Sequence, residues 1–366
     1  MNLNKIFKQV TGIALAATLS FGAFSTALAA PVQGSVGQSP SGIQKTIQLT
    51  NDGKDAYVPN TSFSFTVTPT TEAITNTDIK NVNAAPAGFV SLVNDTITFD
   101  GKTLFAALQG SDQKVAVGNT QLQYDMEKIT KTGVYRVKIT EKTPEDKRDG
   151  ITYSTSPMYL DLYVTKDAKG NFQISNAIVY NLNGEKVGNT NQNSGNNTSI
   201  NFNNDYANYD LTVGKEVKGN LGDQNREFEF KIKINGTDGE RYLVTTTKDA
   251  SGITTEGANK YTTSGTEVTV KLKHGETIKF AGLTAGDTYT VTETEANTDG
   301  YTTTEEVENA TALGAADKTQ TVVNEFTQDI PTGLIDNILP FIIAIAVGGI
   351  FAVIYFKNNK KEEELA

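Results

Sequence analysis

The stretch Phe228-Glu229-Phe230-Lys231-Ile232-Lys233-Ile234 alternates an apolar residue with a charged one. Successive side chains of a strand point to opposite faces, so this pattern reads as a β-strand with one face in a core and the other in water. The same period recurs at Phe63, Phe65 and Val67, at Tyr135, Val137 and Ile139, and at Tyr289 and Val291. Thr, Val, Ile, Phe and Tyr fill these runs, and Asn, Asp and Gly separate them. Long helical periodicity is absent. Short strands with turn signals between them predict an all-β fold of β-sandwiches. A short helix or loop is expected from Leu104 to Gly110. The Asn- and Gly-rich stretch from Gly188 to Thr198 has nothing to bury and reads as a flexible loop.

Working outward, the pattern occurs twice. Each half opens on a strand that carries a lysine: Ile43-Gln44-Lys45-Thr46-Ile47, then Leu211-Thr212-Val213-Gly214-Lys215-Glu216-Val217. An aromatic strand follows, Phe63-Ser64-Phe65 or Phe228-Glu229-Phe230. A Gly and a Tyr then lead to a strand ending in Thr-Glu, at Thr140-Glu141 or Thr292-Glu293. Each half closes on a strand containing Asn, Ile200 to Asn204 or Val322 to Phe326. A boundary is expected between Asp205 and Asp210, giving two tandem sandwich domains at 40–206 and 209–327, stacked nearly end to end.

Parity places the polar members of this repeat. Lys45 shares its face with Ile43, Ile47 and Leu49, and Lys215 shares its face with Leu211, Val213 and Val217. Glu141 goes with Tyr135, Val137 and Ile139, and Glu293 with Tyr289 and Val291. Asn204 goes with Ile200 and Phe202, and Asn324 with Val322 and Phe326. All six are therefore directed at a core. Desolvation lowers the pKa of a lysine and raises that of a carboxyl. A neutral lysine amine is a nucleophile, and a protonated carboxyl hydrogen-bonded to an Asn carboxamide makes its carbon electrophilic. Attack releases ammonia and leaves an amide between the side chains, formed once and without turnover. Ordinary salt bridges at the sheet rims are the competing reading.

Composition narrows the function. The net charge of −10 argues against nucleic acid as a partner. With no cysteine there can be no disulfide, so an exported protein of this kind needs another source of stability. The single histidine, His274, sits in Lys273-His274-Gly275-Glu276, which reads as a solvated turn. No cysteine nucleophile and no clustered metal-ligand motif is present, so a conventional enzyme is a poor fit, and no metal or cofactor is expected.

Both ends carry processing signals. Lys5 and Lys8 precede an apolar stretch from Thr11 to Leu28, and Ala27-Leu28-Ala29 fits a signal-peptide cleavage site, which gives a signal peptide at 1–29. Residues Ile338 to Phe356 carry no charge. As a helix they would reach about 28 Å, enough to cross a bilayer core. Lys357, Lys360 and Lys361 follow in the tail 357–366, which is expected to stay cytoplasmic. Just before the apolar run stands Asp329-Ile330-Pro331-Thr332-Gly333. Motif, span and basic tail resemble the sorting signal of Gram-positive surface proteins, in which a sortase cuts between Thr and Gly. The resemblance implies that Thr332 is held as a thioester until an amine takes it.

The mature region also resembles the major (backbone) pilins of Gram-positive streptococcal pili. The resemblance rests on Val58-Pro59-Asn60-Thr61-Ser62-Phe63 after the first lysine, on Gly133-Val134-Tyr135 leading to Thr140-Glu141, and on Leu211-Thr212-Val213 before Lys215. It implies immunoglobulin-like (CnaB-type) domains with isopeptide bonds Lys45–Asn204 and Lys215–Asn324, assisted by Glu141 and Glu293. Asn201 and Asn203 face the other way, which favours Asn204. It implies further that an exposed lysine accepts Thr332 of the next subunit. Gly184-Glu185-Lys186-Val187 looks like that position, with Lys166 and Lys169 as alternatives, although Gly188 to Thr198 is an insertion beside it. The implied partners are a pilin-type sortase, other copies of the chain in a covalent head-to-tail polymer, minor pilins and peptidoglycan. The implied location is the cell surface, reached through a membrane-anchored precursor. A monomeric wall-anchored adhesin, or a minor pilin of the tip or base, shares most of these features and is the alternative.

Overall fold

The structure is a computed structural model that describes residues 42–50, 54–75, 81–108, 112–187, 200–328 and 340–353. The expected signal peptide, the motif 329–333 and the tail 357–366 lie outside the described residues.

In the first half the main strands are β1 (Gly42–Leu49), β2 (Asn60–Pro69), β3 (Thr96–Asp100), β4 (Lys114–Tyr124), β5 (Gly133–Lys142), β6 (Met158–Lys166), β7 (Phe172–Asn181) and β8 (Ile200–Tyr206). One sheet runs β4-β1-β8 and is extended by the short strands Val90–Leu92 and Ile151–Thr152. The other runs β7-β6-β5-β2-β3. The second half comprises β9 (Tyr209–Lys218), β10 (Phe228–Asn235), β11 (Arg241–Thr245), β12 (Asn259–Thr263), β13 (Glu267–Leu272), β14 (Thr277–Leu283), β15 (Thr288–Glu293), β16 (Val307–Ala312) and β17 (Lys318–Glu325). Its sheets run β12-β11-β14-β9-β17, ending on Thr302–Thr304, and β13-β10-β15-β16.

The strand that decided the fold class behaves as its pattern demands. In β10, Phe228, Phe230, Ile232 and Ile234 are buried, while Lys231 and Lys233 are exposed. They pack against Leu211, Val213, Ile278, Phe280 and Val322 from the opposite sheet. In the first half Phe63, Phe65, Val137 and Leu160 meet Ile43, Ile47, Ile200 and Phe202. Burying one such side chain contributes about 1.5–3 kcal/mol, so each sandwich is held chiefly by these inner faces.

In each half the first strand lies beside the last and parallel to it. Lys45 stands opposite Phe202 and Ile47 opposite Asn204. In β9 and β17, Lys215 stands opposite Val322 and Val217 opposite Asn324. The two-residue offset is the same in both halves.

One detail differs from the sequence expectations. The stretch from Leu104 holds a two-residue strand, Ala106–Ala107, paired with β4, because Leu104 bridges Tyr57 and Phe105 is buried; residues 109 and 110 lie outside the description. Between the halves only Ala207 and Asn208 lie outside the strands, and Tyr206 still pairs in the sheet and stacks on Phe105 at 5.9 Å. A helix covers 340–353 with every residue exposed. Among the described residues no helix is long and apolar enough to cross a membrane, and residues 338, 339 and 354–356 of the expected span lie outside the described residues.

The halves meet through a charged joint. Arg148 Nη2 lies 2.5 Å from Glu240 Oε1, and both residues are buried. The Arg148 guanidinium also donates to Thr237 Oγ1. Tyr206 and Tyr242 each place a hydroxyl 3.4 Å from the Glu240 carboxylate. Asp149 Oδ2 accepts from the Gly286 N–H at 2.8 Å. At the rim, Arg241 lies over Tyr57 and Tyr261, whose rings meet edge to face at 5.6 Å. Removing one partner of a buried pair strands the other charge, at a cost of about 3–5 kcal/mol. Arg148→Ala is therefore expected to uncouple the halves, so that calorimetry resolves two unfolding transitions where the parent shows tighter coupling. An unchanged trace would mean that the joint carries little energy.

Candidate functional site

The sequence-predicted residues converge on two sites, one inside each sandwich. Their burial follows from parity, and their meeting follows from strand order. In the first, β1 supplies Lys45, β5 supplies Glu141 and β8 supplies Asn204, with relative exposures of 0%, 7% and 1%. Lys45 Nζ donates to Glu141 Oε2 at 2.7 Å, and Asn204 Nδ2 donates to Glu141 Oε1 at 2.6 Å. In the second, β9, β15 and β17 supply Lys215, Glu293 and Asn324. Lys215 Nζ donates to Glu293 Oε2 at 2.7 Å, and Asn324 Nδ2 donates to Glu293 Oε1 at 2.7 Å. In each site one carboxylate bridges an amine and a carboxamide. These groups are not at the sheet rims, where the salt-bridge reading put them.

The sequence left open which end of the Asn carboxamide the Glu meets. The carboxylate faces the amide nitrogen of the Asn, not its oxygen. It is therefore placed to receive a proton from the lysine and, once protonated, to pass that proton to the departing nitrogen. The oxygens of the two Asn side chains differ: Asn204 Oδ1 accepts from the Ser154 N–H at 2.8 Å, whereas Asn324 Oδ1 has no hydrogen-bond partner among the described residues.

Aromatic faces complete the surroundings, and sequence reasoning missed them as parts of the site. Lys45 Nζ lies 4.5 Å from the centre of the Phe63 ring. Lys215 Nζ lies 4.4 Å from that of Phe228 and 5.6 Å from that of Phe230. The repeated Phe-x-Phe strand carried the signal, since both halves place it after the lysine. Burial pulls the Lys45 pKa from 10.5 down to about 8, against the opposing pull of the Glu141 charge and hydrogen bond. Burial lowers Lys215 as well, opposed by Glu293. At the second site the Glu293 N–H donates to Glu306 Oε1 at 2.6 Å, a contact without any sequence signal.

The three candidate acceptor lysines lie outside both cores. Lys186 is exposed and forms an isolated bridge with Tyr180 at the edge of β7. A turn built by Asn181 presents it: Asn181 Oδ1 accepts from the N–H groups of Asn183 and Glu185, both at 3.0 Å, and Gly184 takes a left-handed φ of 77°. Lys166 ends β6 with Nζ 5.1 Å from the centre of the Phe172 ring, and Lys169 lies in the β6–β7 turn; both are exposed. Ile330, Pro331, Thr332 and Gly333 lie outside the described residues. His274 is exposed in a turn as expected, and its Nδ1 accepts from the Val217 N–H at 2.9 Å.

Comparison with known proteins gives two family matches. Residues 42–207 match a Spy0128-like isopeptide containing domain, and residues 209–326 match a domain of unknown function, DUF7601. Over 340 residues the chain is 28% identical to a pilin of Streptococcus pyogenes serotype M1, covering 87% of the chain and 90% of that protein. Over 130 residues it is 30% identical to the pilus tip adhesin Cpa of Streptococcus pyogenes, covering 34% of the chain and 18% of that protein. The crystal structure of the major pilin from Streptococcus pyogenes superposes with a TM-score of 0.52 at 23% identity, covering 80% of this chain and all of that one, which shows a shared fold.

The depressed lysine has a measurable signature in a variant that cannot cross-link. In Asn204→Ala the folded Lys45 titrates near 8, whereas the unfolded chain holds that proton until about 10.5. The unfolded state binds more protons across that window, so stability rises with pH through it. Urea midpoints of Asn204→Ala should therefore increase from pH about 8 to about 10.5 relative to Asn204→Ala/Lys45→Met. Parallel curves for the two variants would place Lys45 at its ordinary pKa.

Proposed function

We propose that this chain, a major pilin of the streptococcal type and so a backbone subunit of a pilus, cross-links itself inside each domain and is then joined to its neighbours by amide bonds. It is a structural protein of the cell surface rather than a turnover enzyme, and it polymerises with other pilin subunits. The finer reading rests on one observation: in both sandwiches a single buried carboxylate touches an amine and a carboxamide at 2.6–2.7 Å.

The reaction follows from those contacts. Glu141 Oε2 takes a proton from Lys45 Nζ, and the neutral amine attacks Cγ of Asn204. The carboxyl then passes that same proton to Nδ2. It removes the second proton from the attacking nitrogen, and the carbon–nitrogen bond to Nδ2 breaks. Ammonia leaves as ammonium with the last proton, and Glu141 returns to a carboxylate. Lys215, Glu293 and Asn324 repeat the sequence. Burial drives the first step, since a neutral pair is cheaper than two desolvated charges where water is excluded.

The bonds join the first strand of each domain to its last. Tension applied to the termini would pass through an amide and not through a hydrogen-bond ladder. By analogy with a disulfide, closing a loop of roughly a hundred residues or more contributes on the order of 5 kcal/mol. The proposed units are the sandwiches at 40–206 and 209–327. In the proposed assembly the signal peptide directs export, and the segment 338–356 holds the precursor in the membrane. A sortase carries Thr332 to Lys186 of another subunit. This head-to-tail contact repeats without closure and gives a fibre.

Two outcomes are expected. Residues 30–332, expressed alone, should weigh less than the sequence by two ammonia molecules, and Glu141→Ala and Glu293→Ala should each restore one. An intact mass equal to the sequence would reduce both sites to ion pairs. In cells, Lys186→Ala should abolish the high-molecular-weight ladder on denaturing immunoblots while the monomer keeps both internal bonds. If the ladder survives, the acceptor is another lysine, with Lys166 and Lys169 next.

A further inference from the structure

The two sites match in their lysine, carboxylate and Asn nitrogen but differ at the Asn oxygen. That oxygen gathers negative charge when the amine adds to the carboxamide carbon. At the first site it already accepts the Ser154 main-chain N–H at 2.8 Å. At the second it is buried without a hydrogen-bond partner among the described residues.

Strand pairing explains the difference. Ile151–Thr152 pairs antiparallel with β8 only at Asp205 and Tyr206. The pairing stops one residue short of Asn204, so the chain leaves the ladder there and the Ser154 N–H turns to the Asn204 side chain. In the second half Thr302–Thr304 pairs with β17 at Glu325, Asn324 and Val323, running directly across the reactive Asn. The Thr303 N–H is taken there by Asn297 Oδ1 at 2.9 Å. One strand ends early and leaves a donor for the reaction; the other continues past and leaves none.

We propose that the Ser154 main-chain N–H is an oxyanion donor for formation of the Lys45–Asn204 bond, and that the Lys215–Asn324 bond forms without such a donor and more slowly. This rests on the self-cross-linking read above. A fixed donor aimed at the developing charge accelerates acyl transfer, and removal of one such donor typically costs about 10²–10³-fold in rate. The Ser154 side chain plays no part. The donor needs no reorganisation during the reaction, because its N–H already lies 2.8 Å from Asn204 Oδ1 before the amine attacks.

The test replaces Ser154 by its α-hydroxy analogue through nonsense suppression in cell-free synthesis of the full chain. The swap turns the N–H into an ester oxygen and keeps the side chain. Synthesis is quenched at intervals, and the joined Lys45–Asn204 and Lys215–Asn324 peptides are quantified by mass spectrometry. The expected result is a first bond slowed by about a hundredfold with the second unchanged, while Ser154→Ala forms both at the parent rates. In the parent, the first bond should also precede the second. A first bond unslowed in the ester variant overturns the proposal and leaves the Lys–Asn chemistry standing. Equal slowing of both bonds overturns it too, since that reports folding. If the parent chain never yields the Lys45–Asn204 peptide, the cross-linking reading fails and this inference falls with it.

Discussion

A lysine amine placed between two β-sheets must be matched or neutralised, and this constraint organises each half of the molecule. Lys45 and Lys215 are essentially without solvent contact. Each therefore needs a carboxylate within hydrogen-bond reach, and that carboxylate needs a second donor for its other oxygen. Glu141 and Glu293 meet the first demand, and Asn204 and Asn324 the second. The Phe63 and Phe228 rings line the amines with a weakly attractive face that cannot take a proton. The arrangement that satisfies the buried charges is also the one that brings nucleophile, proton carrier and electrophile together.

This constraint reaches into the topology. The lysine and the asparagine lie on strands that are first and last in each domain, and these strands are parallel neighbours with a two-residue offset. Parallel neighbours point the same way, so stretching the termini shears them along their length. A covalent link at that pairing resists shear where a hydrogen-bond ladder alone would slide. The proposed mechanical role thus follows from strand order as much as from the chemistry of the three side chains.

The two halves obey the same plan with unequal surroundings. The first site gains a main-chain donor at its Asn oxygen because a neighbouring strand ends early, and at the second the main-chain N–H of Glu293 donates to Glu306. Between the halves lies another buried charge arrangement, Arg148 with Glu240, where burial raises the Glu240 pKa against the pull of the guanidinium. That carboxylate meets an arginine and two tyrosine hydroxyls, and an arginine side chain stays protonated, so the joint holds charges together without the neutral amine that bond formation needs.

Strand type, the twofold repeat and the inward direction of Lys45, Glu141, Asn204, Lys215, Glu293 and Asn324 were all legible in the sequence. Each depends on the local two-residue period of a strand, which needs no knowledge of distant residues. The same period separated Asn204 from Asn201 and Asn203. Other features had no local signal. A bridge between Leu104 and Tyr57 accompanies the short strand in the stretch after Leu104, where a helix or loop was expected. Sequence reasoning paired the Glu with the Asn carboxamide but could not say which end of the amide it meets. It also missed Ser154, which has neither an unusual residue type nor a motif. These were decided only by tertiary structure, because register between strands far apart in the chain is set by how whole sheets pack, and the alternation within one strand carries no record of its neighbours.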